Sequence, residues 1–307
     1  MATYLITSQE VKSNTSMGGN VDSDNIMHLI YDAQIMVLEN VLGTALYDKI
    51  VTDFNSSSLA GDYLEMFNNA VLSVEQFHDD VKLVIVGTTE VAKSLTKEGI
   101  SDKLEITILE NTGETDFCSQ VNFGIENCDT EWFSILEVDD VYTSNWLNSI
   151  NEYRSVNENV DVFLPIVKDV NVEGKFLNFT NESVWAYGFS EAQGMIDNEL
   201  LLEYQNYQTS GGLYRTSSIK ENGSFKENIK LTFSYEFLLR LTHNGVKIMV
   251  VPRIGYQHVN FREDSLFWSY KNDETKSLKG DEAKFWLETA KKEFFFKNKR
   301  EVTYVEN

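Results

Sequence analysis

An apolar run at residues 132–136 passes straight into Glu137, with Asp139 and Asp140 close behind. A strand that ends in clustered acids places them at the carboxyl edge of a sheet, where open α/β folds bind ligands. Carboxylates at i and i+2 are hard oxygen ligands, suited to Mg²⁺ or Mn²⁺ carrying a phosphate. The same spacing also fits a solvated acidic turn, and Glu137 alternatively fits as a cap for a helix starting near Val141. The elements around these residues have to decide between the readings.

From residue 81 onward the chain alternates short apolar runs with amphipathic stretches. Residues 81–86 form a nearly continuous apolar run that stops at Gly87, the pattern of a buried parallel strand. Helical spacing covers 89–98, a strand 104–109, a helix 117–127 and a strand 132–136. A helix over 146–156 and a strand over 161–165 follow. After a polar stretch, residues 211–215 read as a strand, 233–244 as a helix, 246–251 as a strand and 284–298 as a last amphipathic helix. Strands alternating with helices imply a mixed, mostly parallel sheet covered by helices, an α/β fold. Residues 1–75 have a different texture. Apolar residues at helical spacing between polar turns, with Gly43 as a break and 61–74 as a third helix, make this a small all-α module. The expected division is therefore 1–75 and 76–307.

A net charge of −22 over 307 residues argues against a surface that wraps nucleic acid or docks on anionic membranes. It suits divalent cations or a basic patch on a partner. No apolar run approaches a membrane span, and no leader peptide is evident. Two cysteines, Cys118 and Cys128, are too few for a disulfide framework and read as reduced thiols in an intracellular setting. The aromatic runs 185–189 and 294–296 read as core or interface.

From about residue 66 to the end, the chain resembles GT-A glycosyltransferases of the inverting family-2 type. Asp116-Phe-Cys-Ser-Gln-Val-Asn-Phe-Gly-Ile125 resembles the family's helix ending in Asn-x-Gly-Ile, and Glu137-Val-Asp139 stands at its Asp-x-Asp metal motif. Gly211-Gly-Leu-Tyr-Arg215 resembles the strand that begins the acceptor region, and Phe225-Lys-Glu-Asn-Ile229 the loop after it. Tyr235-Glu-Phe-Leu-Leu-Arg-Leu241 resembles the helix that carries the catalytic base. The resemblance implies a GT-A-like fold, Mn²⁺ or Mg²⁺ with a nucleotide sugar as cofactor and donor, and Asp116, Glu137 and Asp139 at the binding site. His258 is a third metal ligand on this reading, as in some relatives, and otherwise a hydrogen-bonded loop residue.

Two departures weaken the enzymatic reading. Residues 81–86 read as the family's second strand, which ends in Gly87 and Thr88 where the family has an acid, and no first strand is evident before it. Phe233 and Ser234 stand where active relatives have an acidic pair, and neither side chain can take a proton from an acceptor hydroxyl near neutral pH. Asp140 and Glu236 are the remaining local candidates for a base.

Residues 1–70 resemble a second family, the head-completion and neck proteins of tailed phages. The residues that carry it include Tyr4, Asn20-Val-Asp22, Asp32-Ala-Gln34, Leu42-Gly-Thr-Ala-Leu-Tyr47 and Leu59-Ala-Gly-Asp-Tyr63. A helical cap on a sheet edge would look much the same. Together the resemblances imply a phage virion structural protein with an inactive glycosyltransferase-like domain. It would assemble with portal, neck or tail proteins, or with itself in a ring, and reside in the virion. The alternative is an active, metal-dependent cytoplasmic glycosyltransferase using a nucleotide sugar.

Overall fold

A computed structural model describes residues 60–95, 100–229, 231–260, 288 and 291. The helices expected before residue 60 and over 284–298 therefore lie outside the described residues, apart from 288 and 291. The chain divides into two compact units, residues 1–112 and 113–307.

In the first unit, helix α1 (Ala60–Glu75) buries Ala70, Val71 and Val74, which repeat at helical spacing. Strand β1 (Lys82–Thr88) leads directly into the short helix α2 (Thr89–Ser94), whose first turn is capped by the Thr88 hydroxyl accepting from the Val91 N–H. Gly87 lets the junction close tightly, since a Cβ there would sit 3.0 Å from the Val91 side chain. Strand β2 (Glu105–Asn111) pairs parallel with β1 along its whole length. It ends in Glu110, which accepts a hydrogen bond from the Thr89 hydroxyl at 2.7 Å.

The second unit opens with α3 (Phe117–Glu126), β3 (Trp132–Ser134), β4 (Val141–Tyr142) and α4 (Trp146–Val156). Strands β5 (Val162–Val170), β6 (Phe176–Thr180) and β7 (Met195–Ile196) follow, then α5 (Asn198–Glu203), β8 (Leu213–Arg215) and α6 (Thr216–Asn222). Helix α7 (Phe233–His243) and strand β9 (Ile248–Val259) complete the described elements. Seven strands form one mixed sheet in which β3, β8, β5, β9 and β4 are neighbours in that order, with β6 on β5 and β7 on β9. Strands β5 and β9 run parallel over nine residues each way, and their other pairings are antiparallel. Both are buried through their first halves: Val162, Phe163, Leu164, Ile248, Val250 and Val251 are each at most 1% exposed. A strand buried on both faces reads as a continuous apolar run, which is why both were visible in the sequence. Against this sheet lie the apolar residues of α7, Phe237, Leu238, Leu239 and Leu241, all fully buried. Among the described residues, no helix is long and apolar enough to cross a membrane.

Candidate functional site

The three carboxylates after β3 enter a tight turn. The Asp140 N–H donates to the Glu137 carbonyl at 3.1 Å, closing the chain from i to i+3. The chain then becomes β4, which pairs antiparallel with β9 so that Val141 faces Gln257 and Tyr142 faces Tyr256. This register sets Asp140 beside His258. The Asp140 carboxylate accepts from the Val259 N–H at 2.8 Å through one oxygen and meets His258 Nδ1 at 2.9 Å through the other. Asp140 is fully buried.

The turn also brings Glu137 to the same place. Ligand atoms of Glu137, Asp140 and His258 all lie within 4.8 Å of one another. In an octahedral shell at roughly 2.1 Å, neighbouring ligands stand about 3 Å apart and opposite ones about 4 Å. Two carboxylates and an imidazole brought this close are a donor set of the kind Mn²⁺ or Mg²⁺ takes, with modest closing-up of the ligand atoms, and the hard oxygen donors do not favour a thiophilic metal. The acid that joins Glu137 and His258 here is Asp140 and not Asp139, which stands outside the convergent group.

Crowding at this point shows in the protonation equilibria. Desolvation and the Asp140 charge push Glu137 up to about 7, with His258 and the Ser210 hydroxyl pulling the other way. Burial opposes charge on His258, yet its hydrogen bond to Asp140 and the charges of Asp140, Glu137 and Asp169 outweigh that and raise it to about 10. Asp169 sits opposite His258 in the β5–β9 register and accepts from Asn178 and Thr180, both at 2.8 Å. The site is thus an excess of negative charge with one cationic side chain inside it.

The remaining predicted residues have other engagements. Asp116 caps α3, accepting from the Cys118 and Ser119 N–H groups and from the Ser119 hydroxyl. Glu236 is fully buried, held by Arg240 Nε at 2.8 Å and Lys226 Nζ at 3.0 Å. Arg240 also donates to the carbonyls of Asn222, Gly223 and Ser224, which ties the loop after α6 to α7. Glu236 is therefore held inside the core by two cations. Asp140, committed to Val259 and His258, is no freer to serve as a base. Ser234 faces the Thr209 hydroxyl at 2.9 Å. Cys118 is buried, Cys128 is partly exposed, and both are free thiols.

Sequence reasoning missed the residues that fasten Glu137 from afar. Ser210 donates to Glu137 Oε1 at 2.6 Å, and the Glu137 N–H donates to the Tyr256 hydroxyl at 3.1 Å. The available signal was Thr209-Ser210-Gly211-Gly212, a turn-forming string directly before a strand.

The sequence model of the family described as Glycosyl transferase family 2 matches residues 65–223, just over half of the 307. The chain belongs to glycosyl transferase family 2. The family-2 match begins inside α1, so β1 is the first strand it covers and β2 the second. Strand β2 carries Glu110 and Asn111 at its end. Solved structures agree on the fold. S. aureus TarS 1–349 superposes with a TM-score of 0.52 at 15% identity, covering 76% of this chain and 77% of that one. The same S. aureus fragment in complex with UDP-GlcNAc gives 0.51 at 16%, covering 65% of this chain and 56% of that one. Against S. aureus TarS in a structure of greater length, the score is 0.51 at 16%, and the family-2 chain spans 41% of it. At such identities the likeness speaks for the fold alone. No curated protein sequence matches the chain. The resemblance to phage neck proteins draws no support from these matches, and almost all the residues that carry it lie outside the described ones.

Proposed function

We propose that the protein is a metal-dependent glycosyltransferase whose donor is a nucleotide-diphosphate sugar of the UDP class. The observation that supports this most directly is the convergence of Glu137, Asp140 and His258 at the end of β3 and β9. A cation bound there supplies neutralising charge to a departing diphosphate. Glu137 and Asp140 hold that cation as anions, and His258 does so once it has lost its proton to solvent.

The acceptor side supports a second reading, donor binding without turnover. Phe233 and Ser234 stand at the family's acidic pair, and the nearest local carboxylates, Asp140 and Glu236, are both engaged. Thermal melts with Mn²⁺ and UDP-sugars decide whether donor binds, since a ligand of the native state raises the melting point. UDP release then separates the two readings. A shift with release supports transfer, and a shift without release supports the binding module. No shift at millimolar donor and Mn²⁺ sinks both.

A further inference from the structure

Glu137 is held by two groups from elsewhere in the second unit. Its N–H donates to the Tyr256 hydroxyl, and its Oε1 accepts from Ser210 Oγ at 2.6 Å. Ser210 is 1% exposed, so this hydroxyl has no water to turn to. The turn that carries it is fixed from several directions. The Gly211 N–H donates to the Ile135 carbonyl at 2.8 Å, Trp146 Nε1 donates to the Gly211 carbonyl at 2.7 Å, and the Tyr214 hydroxyl donates to the Thr209 carbonyl. Gly211 has φ +78°, and a Cβ there would lie 2.5 Å from the Tyr256 ring, so the turn packs directly on the residue that holds the Glu137 backbone. A serine hydroxyl has a single hydrogen to donate. Spent on Oε1, it fixes one carboxylate oxygen and the side-chain rotamer while leaving the other oxygen for a cation.

We propose that Ser210 is a positioning residue for a divalent cation at Glu137, Asp140 and His258, presetting the Glu137 carboxylate in the orientation that ligates. The proposal rests on the cation site put forward above. Hydrogen-bond partners of metal ligands of this kind are worth roughly 10–100-fold in metal affinity. A serine that served only to satisfy a buried polar group would leave that affinity unchanged.

The test is calorimetric titration of the full chain with MnCl₂ alone, for the wild type, Ser210→Ala and Ser210→Cys. Cysteine keeps nearly the same volume but is a weak donor, so it guards against a cavity or folding effect in the alanine variant. Metal-free melting curves identify which variants are folded. The expected result is a wild type that binds Mn²⁺ and folded variants that bind it about 10–100-fold more weakly. A wild type that binds, with a folded cysteine or alanine variant of equal affinity, overturns the role of Ser210 and leaves the cation site standing. A wild type that binds no Mn²⁺ overturns the cation site and the role of Ser210 with it.

Discussion

His258 Nδ1 stands 2.9 Å from Asp140 Oδ2, a contact between the end of the long strand β9 and the turn after β3. It makes the imidazolium of His258 an internal counter-ion for the acids around it. The same place is the one at which a divalent cation would bind, so proton and metal compete there.

That competition has a definite sign. His258 titrates at about 10 in the folded chain against 6.5 ordinarily, so its contribution to stability is whole below pH 6.5 and is lost as pH rises through 10. Glu137 is raised from 4.5 to about 7, so it too favours the folded state at low pH and loses that contribution as pH rises through 7. Metal-free protein is expected to lose melting temperature from pH 5 to 9, more steeply than a His258→Gln variant. The stabilisation given by Mn²⁺ grows over the same range, because binding releases protons. A metal-free melting temperature that climbs with pH more steeply in the wild type than in the variant would contradict this.

Asp139 and Asp140 are adjacent acids with opposite expected effects. Asp140 is fully buried and serves both the Val259 N–H and His258, whereas Asp139 is outside the convergent ligand group. Asp140→Ala is expected to abolish Mn²⁺ binding and to cost about 1–3 kcal/mol for each buried partner left unpaired. Asp139→Asn should retain Mn²⁺ binding. Mn²⁺ titration and urea unfolding of the two variants measure this, and loss of binding in Asp139→Asn with retention in Asp140→Ala would reverse the assignment.

The Glu236–Arg240 pair is expected to matter for stability and not for proton transfer. Arg240 is 1% exposed and Glu236 fully buried, with Lys226 as a second cation on the same carboxylate. Removing Arg240 leaves Glu236 with Lys226 alone and three carbonyls without their donor, and breaking a buried pair of this kind costs about 3–5 kcal/mol. Arg240→Ala should therefore unfold at markedly lower urea. Glu236→Gln should lower stability while its folded fraction keeps the wild-type rate of UDP release. A folded Glu236→Gln variant with no release would instead make Glu236 the base.

How much of this was legible in the sequence depended on the range of the interaction. The helix at 146–156 and the buried cores of β5 and β9 were readable because periodicity and continuous apolar runs are local. Glu137 and His258 could be singled out by residue type. The partnership of Asp140 with His258, 118 positions away, is set by the β4–β9 register, which no local pattern encodes. Ser210 is likewise tied to Glu137 from 73 positions away. The pairing of β2 was hidden for another reason. An apolar run shows that a strand exists but not which strand it pairs with, so the parallel pairing that sets Glu110 opposite Gly87 was not readable locally.

Ser234 offers the most direct test of whether this domain is a working or a silenced transferase. It begins the second position of α7, half-buried, with its hydroxyl 2.9 Å from that of Thr209, the residue next to Ser210. The resemblance to family-2 transferases sets Ser234 where active members have an acid, and on the proposed function this is the position a base would take. General-base catalysis contributes roughly 10²–10⁴-fold when the proton acceptor is in reach. Ser234→Asp is therefore expected to raise acceptor-dependent UDP release by at least about 10²-fold over the wild type, with Mn²⁺ present. Asp140→Ala added to it should abolish the gain, because the cation site is then lost. A Ser234→Asp variant that folds, binds UDP-sugar with Mn²⁺ and still releases no UDP would place the defect elsewhere on the acceptor side.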